Sequence, residues 1–309
     1  MTDNYTKIDQ VLFKRLDFKL DTSFDIAKRR TTYWQDAWRR LKMNKFAVAG
    51  LIFIIIISIA AIIGPWLSHF SYSDQELQRV NEFPTWEHPF GTDNLGRDLL
   101  TRVLYGARIS MSIGIVVSFL NLIIGVLYGG AAGYFGGKLD DFLMRLIDIL
   151  WSIPSTLIVI LLMVVLGPGL INIYIALVLF GWIGIARQVR GQILALRELE
   201  YVMAAKLIGA GHFRIIMRHL IPNALGIIIV YMTFGIPGAI FTEAFLSYIG
   251  LGVSAPIASW GTLASDGVSS LQSYPFQIFF PALAISLTML SFNFFGDGLR
   301  DALDPRMRK

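Results

Sequence analysis

Phe46 to Leu67 is an uninterrupted run without a single charged residue. A helix rises about 1.5 Å per residue, so about 20 apolar residues cross a hydrocarbon core of roughly 30 Å. The sequence repeats this feature. Ile109 to Gly137 supplies a second span, Leu220 to Thr242 a fifth and Ser273 to Phe295 a sixth. Ile149 to Ala186 is too long for one crossing, and Gly167-Pro168-Gly169 breaks it where a hairpin is needed. It reads as two spans, the earlier starting near Phe142, so that Arg145 and Asp148 lie in its first turns as an i, i+3 pair. The expectation is an all-α polytopic membrane protein with six transmembrane helices. Only 16% of residues are charged, against about 25% in ordinary soluble chains. That deficit, gathered into blocks, excludes a soluble enzyme, a disordered chain and a nucleic-acid-binding domain. Cysteine is absent, which removes disulfides and thiolate metal sites.

Basic residues set the orientation. Residues 1–45 hold eleven Lys and Arg, 138–148 two, 187–219 six and the tail beyond Asp297 four, which is 23 of the 27. The 68–104 segment holds three against six acids, and 244–272 holds none. Six spans put the rich segments on one side, so both termini are expected in the cytoplasm and 68–104 and 244–272 outside. A charged tail of 45 residues precedes the first span, and no cleavable signal peptide is expected. Within that tail, Trp34, Trp38 and Leu41 recur at helical spacing among Arg39, Arg40, Lys42 and Lys45. This pattern fits either an elbow helix lying in the interface or a simple snorkelling flank. The chain therefore divides into a cytoplasmic tail (1–45), a first span (46–67), an extracytoplasmic loop (68–104) and a core (105–309) containing a cytoplasmic loop at 187–222.

That loop has the pattern of a structured element. Tyr201-Val202-Met203-Ala204-Ala205-Lys206-Leu207-Ile208 is a run of helix formers stopped by Gly209-Ala210-Gly211. Phe213, Ile216, Met217 and Leu220 then repeat as one apolar face, and Pro222 suits the first turn of the fifth span. Ala204 and Ala205 carry no bulk, so another surface could approach closely. Met203-Ala204-Ala205, Gly209 and His219-Leu220-Ile221-Pro222 resemble the EAA loop of ABC-importer permeases, with Met203, His219 and Ile221 departing from the usual Glu, Ile and Leu. Three further stretches resemble oligopeptide, dipeptide and nickel permeases: His88 through Asp98 with Tyr105 through Ser110, Glu243 through Gly252, and Gly296 through Arg306. The Trp34–Leu41 stretch is most similar to C-type subunits of the oligopeptide/dipeptide family.

The resemblance implies a type I ABC-importer permease fold and a non-enzymatic subunit for peptide import. It implies a second homologous permease, two cytoplasmic ATPases that hold ATP and Mg, and an extracytoplasmic peptide-binding protein. This chain itself would carry no cofactor, metal or catalytic residue. Tyr201, Val202, Met203, Ala204, Ala205, Lys206, Leu207, Gly209 and Pro222 would form the element that couples to the ATPase. A nickel or other small-solute permease is the alternative within the same architecture. A stand-alone channel or secondary transporter is the alternative outside it, but no buried charged relay or inverted repeat is evident.

Several other features have both an ordinary and a functional reading. Gly91 to Asp98 has Arg97 and Asp98 after its second glycine, where a phosphate loop needs Lys and then Ser or Thr. His69, His88, His212 and His219 lack the spacing of a zinc helix and read as structural or surface residues. Glu243 sits just past the expected end of the fifth span, either packed at the interface or shaping an outer gate. Pro154 in the third span and Gly235, Pro237 and Gly238 in the fifth either kink and pack those helices or line a path that opens and closes.

Overall fold

The structure, a computed structural model, describes residues 32–304. The basic tail before Thr32 and the matched Pro305-Arg306 lie outside the described residues. The described chain is helical, with no strand and a single isolated bridge between Thr92 and Asp98.

Helix α1 (Tyr33–Met43) lies against the end of α11 (Phe276–Leu303), burying Ala37 and Leu41 beside Leu303 and Ala302. Trp34 and Trp38 stay half exposed on the opposite side, the arrangement of an interfacial helix. Asn44 then turns the chain, its side chain capping α2 (Lys45–Leu67) through the amides of Phe46 and Ala47 at 3.1 and 3.2 Å.

Among the described residues, five helices are long and apolar enough to cross a membrane: α2, α3 (Leu99–Phe135), α6 (Leu170–Arg197), the continuous His212–Tyr248 helix, and α11. A bent pair, α4 (Gly137–Trp151) and α5 (Ser155–Leu166), inclined by 73°, makes a sixth crossing if the two form one broken span. Pro154 is therefore not inside a helix, as the sequence suggested. It stands at the break and opens α5, where a missing N–H costs nothing. The second span also begins ten residues earlier than Ile109, because Asp98 caps α3 at Leu99 by accepting the Thr101 N–H at 2.7 Å.

The centre of the bundle is the α3–α6 pair. Gly125, Gly129 and Gly133 recur every fourth residue on α3 and let α6 approach to backbone contact. A Cβ on Gly125 would lie 2.7 Å from the Ile185 side chain, one on Gly129 would overlap the Ala186 carbonyl, and one on Gly133 would lie 2.8 Å from the Arg190 carbonyl oxygen. Around this pair α9 (Ile221–Tyr248) and α11 pack on one side, and α2 rests on α3 and α11.

The third-span charges pair across helices. Asp148 accepts from Arg187 Nη2 of α6 at 2.6 Å rather than pairing with Arg145. Asp140 takes a two-pronged bond from Arg190, at 2.5 and 2.6 Å, and is itself buried. An antiparallel neighbour offered a better-aligned guanidinium than the i, i+3 residue, and the paired fork geometry favours Arg on carboxylate.

Candidate functional site: an anchored lever at one end, a fastened cap at the other

The 187–222 loop is shorter than expected, because α6 continues to Arg197 and the next helix begins at His212. Between them stands α7 (Glu200–Leu207). Its last turn is closed as the glycine signal requires. Gly209 adopts φ +79°, its N–H bonds to the Lys206 carbonyl, and the Ala210 N–H bonds to the Ala205 carbonyl, both at 3.0 Å.

The two alanines do not share a face. Ala205, with Val202, is buried among Tyr134, Val189, Ile193, Ile215 and Leu220, whereas Ala204 is exposed. The outer face is also not small and smooth: Leu207 and Ile208 are 88% and 85% exposed, flanked by Met203 and by Phe213. The expected stripe of Phe213, Ile216, Met217 and Leu220 is broken up as well. Ile216–Leu220 forms a π-turn between α8 (His212–Ile215) and α9, so Ile215 and Leu220 point inward and Phe213 and Met217 outward. The added residue per turn shifts the register that a 3.6 period assumes. Pro222 sits in the first turn of α9 as expected, directly after the π-turn of a helix continuous from His212.

Polar contacts tie α7's surroundings to the neighbouring helices. Arg197 Nη1 donates to the Gly133 carbonyl at 2.9 Å, reaching the end of α3. Tyr134 Oη and His212 Nδ1 lie 2.8 Å apart, and Lys206 Nζ sits 5.7 Å from the centre of the Tyr134 ring. α7 and its flanks thus bear on the ends of α3 and α6 and on the start of the α8–α9 helix.

Glu243 lies inside α9, which runs six residues beyond Thr242, and it is fully buried. Ser259 and Ser247 donate to Oε1 at 2.6 and 2.7 Å, and Ser110 donates to Oε2 at 3.2 Å. One carboxylate therefore joins α3, α9 and the start of α10 (Trp260–Val268) in a packing role, inside the helix rather than just past its end. Trp260 adds two bonds across the same junction, its amide to Ser110 Oγ at 3.1 Å and its indole N–H to the Val103 carbonyl at 3.0 Å.

The 68–104 segment is fastened to this junction. Gly91 and Gly96 have φ of +77° and +71°, and the tight turns they allow hold a polar knot rather than a phosphate. Asp93 accepts from the Leu95 and Arg97 amides and from Arg97 Nε at 2.7 to 3.0 Å. His88 Nδ1 lies 2.9 Å from Asp98 Oδ1, both buried. Gln277 donates to the Asn81 side chain at 2.8 Å and to the Thr92 carbonyl at 3.0 Å. Arg102 lies between Asp93 and Asp266, and burial pushes the Asp266 carboxyl up while Arg102 pulls against that shift.

Gly235 and Gly238 line a cavity of about 470 Å³ between α3, α5, α6 and α9. Pro237 is buried within α9, and Pro154 stands next to Ser155, which edges the cavity.

Residues 105–309 match the family described as binding-protein-dependent transport system inner membrane component, and 32–84 match the N-terminal TM domain of oligopeptide transport permease C. The chain belongs to this permease family. It is 52% identical over 287 residues to the dipeptide transport system permease protein DppC of Bacillus subtilis, covering 92% of this chain and 90% of that one. The oligopeptide transport system permease protein OppC of the same organism is 52% identical over 92% of this chain and 93% of its own length. The Escherichia coli K12 OppC is 44% identical over 89% and 92%. Among solved structures, a chain of the inward-facing MetNI methionine ABC transporter superposes with a TM-score of 0.52 at 20% identity, covering 67% of this chain and 96% of that one. The permease is thus a multi-pass membrane protein with a type I ABC-importer fold.

The sequence singled out the α7 residues and the fifth-span glycines. It missed the α3 glycine stripe, although the four-residue spacing was visible, and the Ser118–Asn121 face of the same helix.

Proposed function

We propose that this permease imports oligopeptides or dipeptides across the bacterial cytoplasmic membrane, with both of its termini in the cytoplasm. It forms half of the pathway beside a second homologous permease. Two cytoplasmic ATPases bind ATP and Mg, so this chain carries no cofactor, and an extracytoplasmic protein delivers the peptide. The observation that carries the reading is the shape of α7: an exposed Leu207-Ile208 tip on a helix anchored by buried Val202 and Ala205. Such a tip suits insertion into a groove on an ATPase. The names of the relatives, which are dipeptide and oligopeptide permeases, support the substrate.

ATP-driven closure of the ATPases displaces α7, and its contacts carry the displacement to α3, α6 and the α8–α9 helix. The Arg190–Asp140 bond between α6 and α4 extends the moving body to the third span. ATP then favours one orientation of the cavity over the other, which is a population shift set by differential binding. The basic segments around α1, 138–148 and α7 share this end of the bundle, which supports its cytoplasmic placement. The acid-bearing 68–104 segment and the 249–275 segment form the outer end.

The test is reconstitution of the permease with its partner chains in proteoliposomes. ATP-dependent uptake of peptide that requires the binding protein is expected. Uptake without any ATPase, or transport of nickel with no response to peptide, would overturn the proposal.

A further inference from the structure

Ser118 and Asn121 occupy one face of α3 about halfway along its length. They are 2% and 6% exposed, and Ser118 Oγ and Asn121 Oδ1 have no hydrogen-bond partner. Both line the cavity between α3, α5, α6 and α9. At this depth a polar side chain left unsatisfied is costly, because lipid offers no substitute for water. A serine in a membrane helix commonly bonds the carbonyl of its own preceding turn, as Ser58 does on α2 at 2.6 Å, yet Ser118 does not.

The neighbouring helices are shaped around these two groups. A Cβ on Gly181 of α6 would overlap the Asn121 carboxamide, and a Cβ on Gly235 of α9 would come within 3.1 Å of Ser118 Oγ. The break before α5 adds its first turn, Ser155 and Thr156, to the cavity rim. First-turn amides have no acceptor within their own helix, so the rim offers donors where Asn121 and Ser118 offer acceptors. Gly181 and Gln188 are exposed and Thr242 half-buried at the open side, where a second permease would close the path.

No residue of the lining is an acid, a base or a histidine. A neutral wall carries no charge to select among side chains and no carboxylate or imidazole to hold a metal ion. It offers donors and acceptors in alternation with apolar surface, which matches the feature that all peptides share, the main-chain amide. The volume of about 470 Å³ falls within the range of sites for small ligands, roughly 300 to 1,000 Å³.

We infer that Ser118 and Asn121 form a mid-membrane subsite that binds the main chain of the peptide in transit, independently of its side chains. This inference rests on the peptide-import reading above. Both oxygens are closed off in this conformation against the Gly181 and Gly235 backbones, and when the helices part the Asn121 carbonyl oxygen accepts a peptide N–H and Ser118 bonds a neighbouring amide.

The chain has no cysteine, so Asn121→Cys gives it a single thiol in the cavity. In the complete reconstituted transporter, a small water-soluble methanethiosulfonate reagent is expected to label this thiol several-fold more slowly during turnover with trialanine than without peptide. Gly191→Cys, on α6 with open space around it, is expected to label equally in both conditions. Ser118→Ala and Asn121→Leu are each expected to lower kcat/KM for uptake roughly three- to tenfold, the size of one lost hydrogen bond. The penalty is expected to be alike for trialanine, an acidic tripeptide and a basic tripeptide. Equal labelling of Asn121→Cys with and without trialanine, in a complex that imports it, would overturn the inference while leaving the import function standing. A penalty confined to one peptide charge would also overturn main-chain recognition. A complex that imports no peptide at all would remove both.

Discussion

The two ends of the bundle are built on opposite principles. At the end formed by 68–104 and 249–275, polar groups are buried and matched to each other. Glu243 takes three hydroxyls, Asp93 three N–H groups, and Asp98 both His88 and the start of α3. At the α7 end, large apolar groups are left uncovered, with Leu207 and Ile208 almost wholly exposed. Burying a polar group demands an internal partner, and these three carboxylates find theirs within one chain, although Leu77, Phe83 and Trp86 of the same end stay exposed. Exposed apolar tips often mark a contact surface, the feature on which the proposed ATPase docking rests. In the proposed coupling, the first end holds its shape while the second receives force.

The largest expected effect lies between the two ends. Gly129→Val drives a branched side chain into the α6 backbone, and folded protein should not be recoverable after detergent extraction; a monodisperse peak at wild-type yield would contradict the close α3–α6 approach. Glu243→Ala strips the acceptor from Ser110, Ser247 and Ser259 and should cost about 3 kcal/mol, read as a lowered thermal midpoint in detergent. Glu243→Gln keeps an acceptor and should recover part of that loss; identical midpoints for the two variants would remove the hydroxyl cluster from the account. Asp98→Ala removes the α3 cap and the His88 partner and should cost about 1–2 kcal/mol by the same measurement. Leu207→Asp with Ile208→Asp should shift stability by no more than about 0.5 kcal/mol, since both side chains are exposed. Peptide uptake should nevertheless be abolished. Normal uptake by that double variant would break the contrast at its most informative point.

Much of the lever end was legible from sequence, because its signals are local. The run from Tyr201 to Ile208 and the stop at Gly209 are helix propensity and left-handed backbone geometry, which neighbouring helices do not alter. Which alanine faces inward is not local. The π-turn at Ile216–Leu220 moved the apolar register by part of a turn, and no 3.6-residue pattern predicts that shift. Glu243 was misplaced because an acid next to an apolar run normally marks a boundary. Here Ser247 one turn on, with Ser110 and Ser259 from distant positions, makes its burial tolerable, and the convergence of the latter two exists only in the folded chain.

The sequence by itself determined the membrane class, the existence of the spans, the family and the position of α7. These follow from uncharged length, from glycine and proline at helix ends, and from motifs that are contiguous in the chain. Only the tertiary structure decided that Asp148 pairs with Arg187, that Pro154 breaks a span, and that Ser118 and Asn121 face a neutral cavity cleared by Gly181 and Gly235. Those outcomes depend on which helix faces which. In a bilayer, where apolar surface cannot distinguish one neighbour from another, small-residue contacts and polar pairs set that choice.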